Sequence, residues 1–236
     1  GLAEPEDITY SRRIAKEYGF ELKEVLIDIS EVEEKIKKTV SLIEDTNVVK
    51  VGLGLTFLSV CEQAQKDGRR VIFSGLGSEE IFAGYERHKN SLKINDECVS
   101  GLLKMYERDL YRYDVITMNH NIELRLPFLD KKLVDYSLKI PVEHKLDDVQ
   151  SKKIIREVAQ DLGLAKEYAQ RKKRAAQYGS RFDSALKKLS KKNGFEKKSE
   201  YLSQFLDQKN LKLGLLLSGG KDRNYVGILM EKWNKE

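Results

Sequence analysis

Two short glycine loops carry the residues best suited to chemistry in this 236-residue chain. Ser218-Gly219-Gly220-Lys221-Asp222 follows the apolar run Leu211 to Leu217 and precedes a helical pattern from Asn224 to Asn234. A glycine turn between a strand and a helix turns free backbone N–H groups and the positive end of a helix dipole toward one cleft, where phosphate binds favourably. Leu217, Ser218, Gly219, Gly220 and Asp222 are therefore assigned to nucleotide binding. The glycines let the backbone approach, Ser218 offers a hydroxyl, and Asp222 offers an oxygen ligand for Mg²⁺. This is not a Walker loop, which needs a longer glycine span ending in Gly-Lys-Ser or Gly-Lys-Thr, and the alternative is a tight turn with no ligand. Ser74-Gly75-Leu76-Gly77-Ser78-Glu79-Glu80 adds two carboxylates to a second glycine turn after Val71-Ile72-Phe73. Glutamates at a helix start are also ordinary dipole partners, so this loop alone reads as structural as readily as catalytic. Taken together, the loops supply Glu79 and Asp222 as oxygen ligands to one Mg²⁺ bridging phosphates.

Alternating elements must position these loops. Asp7 is expected to cap a first helix ended by Gly19, Glu21 to Ile29 to form a strand, and Ser30 to cap a second helix with Val32, Ile36, Val40 and Ile43 on one face. A third helix is expected from Leu55 to Lys66. Arg70 to Ser74 reads as a short strand buried on both faces, as in a parallel sheet. From Leu92 to Leu206 the pattern is helical with no further strand, including Leu102 to Tyr111, Lys131 to Lys139, Lys152 to Leu162 and Arg181 to Lys192. In the third of these, Ile154, Ile155, Val158, Ala159 and Leu162 share a face. The organisation is α/β over 1–91, helical over 92–208, and strand-turn-helix over 209–236.

Several spaced motifs resemble one family. Val71 to Tyr85 is similar to the Ser-Gly-Glu-Gly-Ser-Asp-Glu-Leu-Phe-Gly-Gly-Tyr segment in the synthetase domain of asparagine synthetases, within the ATP pyrophosphatase superfamily. Asp114 to Asp130 resembles its "D-x-x-S-M-x-x-x-x-E-x-R-x-P-F-L-D" stretch, with Thr117 in place of Ser; Lys152 to Glu157 resembles its "K-x-x-L-R-E" helix, and Arg171-Lys172-Lys173 the basic turn that follows. The resemblance covers roughly residues 1 to 185 and implies an α/β fold: a parallel layer of the adenine nucleotide α-hydrolase (HUP) kind with a helical region. It further implies an ATP- and Mg²⁺-dependent ligase that activates a carboxylate, aspartate first, as an acyl-adenylate, releases pyrophosphate and lets ammonia displace AMP. Carried over by position, Ser74, Gly75 and Gly77 contact the nucleotide, Glu79 takes the place of the metal-binding aspartate, and Lys152 and Glu80 are catalytic. Lys152 would stabilise charge at the α-phosphate, while Glu123, Arg125 and Asp130 read as a bracing ion-pair network.

Three departures matter. Leu76 stands where the family has a loop glutamate, Glu79 is one methylene longer than the aspartate, and Arg223 stands where the pyrophosphate loop has its final Ser. That loop belongs upstream of the region that begins this chain, yet the only one present is at Ser218. The chain therefore reads either as a circular permutant or as a segment, with a missing upstream stretch, whose C-terminus opens another module. The alternatives in function are another adenylating enzyme acting on tRNA or protein, and a degenerate nucleotide-binding module. Ammonia would come free or from a separate glutaminase.

Composition narrows the field. With 34% charged and 40% hydrophobic residues, no apolar run approaches the ~20 residues of a membrane span. Cys61 and Cys98 are too few for a disulfide framework and read as buried small hydrophobes in a reducing, cytoplasmic compartment. The net charge of +5 is uneven, because Ser151 to Lys198 holds fifteen Lys and Arg against five Asp and Glu. Between Lys187 and Lys198 the only aromatic is Phe195, so a lysine-rich solvated face explains the excess better than nucleic acid does.

Overall fold

The computed structural model describes residues 1–2, 5–171 and 175–206. Gly1–Leu206 clusters as one compact unit. Leu217, Ser218, Gly219, Gly220 and Asp222 lie outside the described residues, as do Lys172 and Lys173 of the basic turn.

This unit opens with three helices, α1 (Glu6–Tyr18), α2 (Ile29–Ile43) and α3 (Val48–Lys66), leading into strand β1 (Val71–Phe73). Short helices α4 (Ser78–Ile81) and α5 (Glu86–Lys89) follow, then α6 (Ile94–Leu103), a π-helical turn (Tyr106–Leu110), α7 (Tyr111–Asn119) and strand β2 (Glu123–Arg125). Helices α8 (Lys131–Ser137), α9 (Lys153–Asp161), α10 (Lys166–Ala169), α11 (Ala176–Gly179), α12 (Phe182–Lys192) and α13 (Lys198–Ser203) complete it. The architecture is α/β, mostly helical around a small parallel sheet in which Val71 pairs with Glu123, Ile72 with Leu124 and Phe73 with Arg125.

The α2 stripe forms as its spacing predicts, with Val32, Ile36, Val40 and Ile43 all buried. They join Val51, Leu55 and Leu58 of α3, Ile116 of α7, Phe182 and Leu186 of α12, and Tyr201 and Leu202 of α13 in the main core. A smaller cluster centres on Ile81, Phe82 and Ile140, with Phe128, Leu133, Ile154 and Ile155 packed against it.

Local chemistry moves several boundaries. The α2 cap is Asp28, not Ser30: its carboxylate accepts from Ser30 N at 2.8 Å and Ser30 Oγ at 2.6 Å, while Glu31 accepts from Asp28 N. Asp7 caps nothing either, because the N-cap of α1 is Pro5 and the Asp7 carboxylate turns to Arg171. Helix α3 starts two turns before Leu55, capped by the Asn47 side chain. Its early Gly54 is a spacing device, since a Cβ there would lie 2.7 Å from Thr39 Cγ2 of α2. Helix α6 ends at Leu103 and gives way to the π turn, so no single helix covers Leu102 to Tyr111.

The strand readings change most. Glu21 to Ile29 is no strand among the described residues; it makes one rung with the N-terminus, Gly1 N donating to Val25 O at 2.7 Å and Ile27 N to Gly1 O at 2.9 Å. β1 is not buried on both faces: Val71 is 43% and Phe73 75% exposed on one face, while Ile72 on the other packs against the main core. β2 contradicts the reading of a strand-free region after Leu92. Two of its three residues are charged and exposed, so no apolar alternation announced it.

Both thiols are buried, as expected of small hydrophobes. Burial, with the Glu62 charge beside it, pushes Cys61 up to about 12; burial also raises Cys98 against the opposing charge of Lys145. Neither is expected to react with an aromatic disulfide reagent at pH 8 in the native state, and both to react fully in urea, as read by released chromophore.

Candidate functional site

The second glycine loop leaves the C-terminal end of β1, the side of a parallel sheet where ligands bind. Ser74 N, donating to Arg125 O at 3.0 Å, continues the β1–β2 ladder. The chain then turns tightly, with Leu76 N donating to Ser74 Oγ at 3.3 Å and Ser78 N to Gly75 O at 3.3 Å. Gly75 faces open space, with nothing within 4 Å of where its Cβ would stand. Gly77 is required, because its φ is 98° and a Cβ there would lie 2.6 Å from Leu129 Cδ2. The helix that follows, α4, is a single turn of four residues, so its dipole is weaker than the sequence reading assumed.

On that turn, Glu79 and Glu80 take different environments. Glu79 is partly buried and meets Lys152: Nζ donates to Oε1 at 3.0 Å, the two side chains being 19% and 14% exposed. Ser78 Oγ donates to Glu79 Oε2 at 2.9 Å. Two sequence-assigned residues 73 positions apart are thus brought into direct contact. Lys152 does not stand on a helix as expected. It is the N-cap of α9, with φ 57° and ψ 38°, a left-handed conformation that costs an L-residue about 1–2 kcal/mol. The amine is held by a strained residue, and such strain persists only where surrounding structure fixes it.

Glu80 is only 2% exposed, and its Oε2 has no hydrogen-bond partner. Burial above all raises its pKa over the usual carboxylate value, the charges of Glu79 and Asp109 adding to this against hydrogen bonds from the backbone and the Tyr85 hydroxyl. Tyr85 was not singled out from its type or spacing, although it closes the matching motif; its hydroxyl is what touches Glu80.

The chain between Glu80 and Tyr85 is tightly constrained. Ala83 is buried at φ 54°, a left-handed position where the matching motif carries glycine. Ala83→Gly is expected to stabilise the protein by about 0.5–1 kcal/mol, the left-handed penalty less the entropy cost of glycine. The check is a higher urea midpoint at unchanged slope.

Around this centre, other assigned residues brace. Arg125 pairs with Glu123 at 2.7 Å, both more than half exposed, whereas Asp130 caps α8 by accepting from Lys132 N and Leu133 N. Thr117 is fully buried and its hydroxyl donates to the Tyr113 and Asp114 carbonyls. Arg171, which opens the basic turn, is held by Glu6 and Asp7 at 3.3 Å, with its guanidinium 3.9 Å from the Tyr10 ring centroid. Arg156 of α9 ties the segments together, donating from Nε to Ser151 O and from Nη1 to the Ala169 and Arg171 carbonyls. On α9 only part of the expected apolar face is covered: Ile154 and Ile155 pack inward, while Val158 and Leu162 are 44% and 83% exposed.

Among the described residues no group of three or more His, Cys, Asp or Glu is placed to hold a metal ion. One carboxylate, Glu79, fits Mg²⁺ only in the way that ion usually binds at phosphates, through one or two carboxylates with the remaining ligands from phosphate and water.

The family model described as asparagine synthase matches residues 1–98 and 89–212. A Methanocaldococcus jannaschii protein, provisionally named a glutamine-hydrolysing asparagine synthetase, is 31% identical over 251 residues, covering 90% of this chain and 46% of its own. The glutamine-hydrolysing asparagine synthetase of Rattus norvegicus is 31% identical over 170 residues, 70% of this chain and 30% of its own. Asparagine synthetase domain-containing protein 1 of Mus musculus is 34% identical over 153 residues, covering 60% and 24% respectively. The chain thus spans less than half the length of these relatives.

Proposed function

This chain belongs to the asparagine synthase family, and from that premise we propose that it acts in ATP-dependent amide formation. A carboxylate, aspartate first, is activated as an acyl-adenylate with loss of pyrophosphate, and ammonia then displaces AMP. The observation that carries this reading is the contact of Lys152 with Glu79 beside a buried Glu80, all at the loop leaving β1.

In the first step a carboxylate oxygen attacks the α-phosphorus and pyrophosphate leaves, so negative charge builds on the α-phosphate oxygens and the leaving group. Such transfers depend mainly on cations placed where that charge develops. Lys152 supplies one, Ser74 and Gly75 present a hydroxyl and open backbone to the nucleotide, and Gly77 shapes the turn. Mg²⁺, when bound, would screen the phosphates, with Glu79 as its protein ligand. In the second step the attacking ammonia nitrogen becomes positive and must lose a proton. Glu80, buried and with a raised proton affinity, accepts it. Leu76 puts an apolar side chain where the matching motif is acidic, which favours a substrate with no cation at that point. We extend the parallel β1–β2 pair to a layer of the adenine nucleotide α-hydrolase kind, and place the activity in the cytoplasm with ammonia supplied free or by a glutaminase.

The test is carboxylate-dependent exchange of pyrophosphate into ATP, run over aspartate and a panel of other acids. Exchange with one acid supports the reading; nucleotide binding without exchange under any acid sinks it. Within an active system, Glu80→Gln is expected to slow amide formation about 10²–10⁴-fold while sparing exchange, as measured by amide yield against exchange rate.

A further inference from the structure

Lys145 is fully buried, among the largest of the described side chains with no solvent contact. Lysines are almost never fully buried unless paired. Among the described residues no carboxylate pairs with this one; its ammonium donates to Asn95 Oδ1 of α6 at 2.7 Å. Burial pushes its pKa down, with the nearby Cys98 thiol acting in the opposite direction. An apolar side chain of similar length would avoid that desolvation, so the amine must contribute something that packing alone does not.

The backbone shows what that is. Asn95 reaches both ends of the short turn before Lys145, accepting from Nζ and donating through Nδ2 to Ile140 O at 3.4 Å. Lys145 N donates to Val142 O at 2.8 Å, and the Lys145 carbonyl accepts from Lys153 N at 2.9 Å. One residue further, Leu146 forms an antiparallel bridge with Ser151. Lys152, in its strained left-handed conformation, therefore lies between two residues, Ser151 and Lys153, that are both bonded back to the segment Lys145 anchors. Lys153 Nζ adds ties to Glu143 O at 3.0 Å and Asp147 at 3.1 Å within that segment.

We infer that Lys145 is a positioning residue for Lys152: its buried ammonium fixes the 140–151 segment to α6 through Asn95, and its carbonyl then holds the start of α9 so that the Lys152 amine meets Glu79. A leucine in its place would pack without a directed bond and would let the segment slide against α6. The activity arm of the test rests on the function proposed above; the labelling arm does not.

Lys145→Met and Asn95→Ala in the 236-residue chain address this. The first measurement is lysine acylation by an activated acetate ester at limiting reagent, read residue by residue by mass spectrometry, beside a thermal melt. Both variants should raise labelling of Lys152 severalfold and leave that of exposed Lys131 unchanged, whereas a global loss of structure would raise labelling at many lysines together. Asn95→Asp, which gives Lys145 an acceptor of similar shape, should restore the wild-type rate. In exchange assays the two variants should lose about ten- to a hundredfold in kcat with little change in KM for ATP, since misplacement of a reacting group acts on turnover. If Lys145→Met does not fold, Asn95→Ala carries the test with the buried chain in place. Unchanged Lys152 labelling in a folded Asn95→Ala, or an increase spread over all lysines, overturns the inference. Absence of exchange in the wild type overturns the proposed function alone, and the labelling result still decides the role of Lys145.

Discussion

Lys152→Met is expected to cut carboxylate-dependent ATP–pyrophosphate exchange by about 10²–10³-fold, the usual effect of removing one preorganised donor from a developing negative charge. Methionine keeps the length and apolar stem and loses only the cation. Lys152→Arg should not rescue activity, because a planar fork cannot occupy the place of a compact ammonium 3.0 Å from Glu79 Oε1. Lys152→Gly separates the two properties of this residue. It relieves the left-handed backbone, so it should be more stable than Lys152→Met by up to about 1 kcal/mol once the entropy of glycine is counted, and be equally inactive. Exchange rates and urea melts on the three variants check this. A glycine variant with near-normal exchange would mean that the backbone conformation, not the amine, is what the site needs.

Gly84→Ala should damage the protein at a second level. A Cβ there would stand 2.9 Å from the Glu79 Cα and 2.8 Å from its Cγ, and the Gly84 N–H already donates to Glu79 O at 2.8 Å. The obstructing atoms include backbone, so relief requires α4 itself to shift, taking Glu79 away from Lys152 and Glu80 away from Tyr85. Overpacking of this kind costs about 1–3 kcal/mol. The loss of exchange should exceed what the loss of folded protein explains. The comparison is exchange per folded molecule at a temperature where a melt shows the variant still native; full specific activity there would show the turn to be tolerant.

How far these residues could be read from sequence depended on the distance over which each is determined. The α2 stripe was legible because its four apolar residues fall three or four apart and all face the same core. The cap placed at Ser30 missed a local signal, because Asp28 and Glu31 stand at capping-box spacing, whereas Asp7 is decided by a partner distant in sequence, Arg171. β2 was invisible because its outer residues are charged and only Leu124 turns inward. At the site, the family resemblance singled out Glu79 and Lys152, but that they touch is a property of the fold alone. Nothing in the identity of Lys145 or Asn95 signals a role: a lysine in a polar stretch reads as solvated, and only its complete burial reveals otherwise. The left-handed conformation of Lys152 was equally silent, since lysine has no preference for it.

The half-covered strand β1 bears on how copies of this chain behave toward one another. Among the described residues β2 is the one neighbour of β1, with Val71 and Phe73 exposed, so a further strand, from the layer proposed above or from another molecule, would meet an apolar face at that edge. Two arginines, Arg69 and Arg70, directly precede it, and like charges flanking an apolar strand act as gatekeepers that push an approaching copy away. That protection is electrostatic and screened beyond about 8–10 Å at ordinary ionic strength. Whatever repulsion these two guanidinium groups exert on an approaching strand is therefore expected to be strongest in dilute buffer and weakest where counterions mask them.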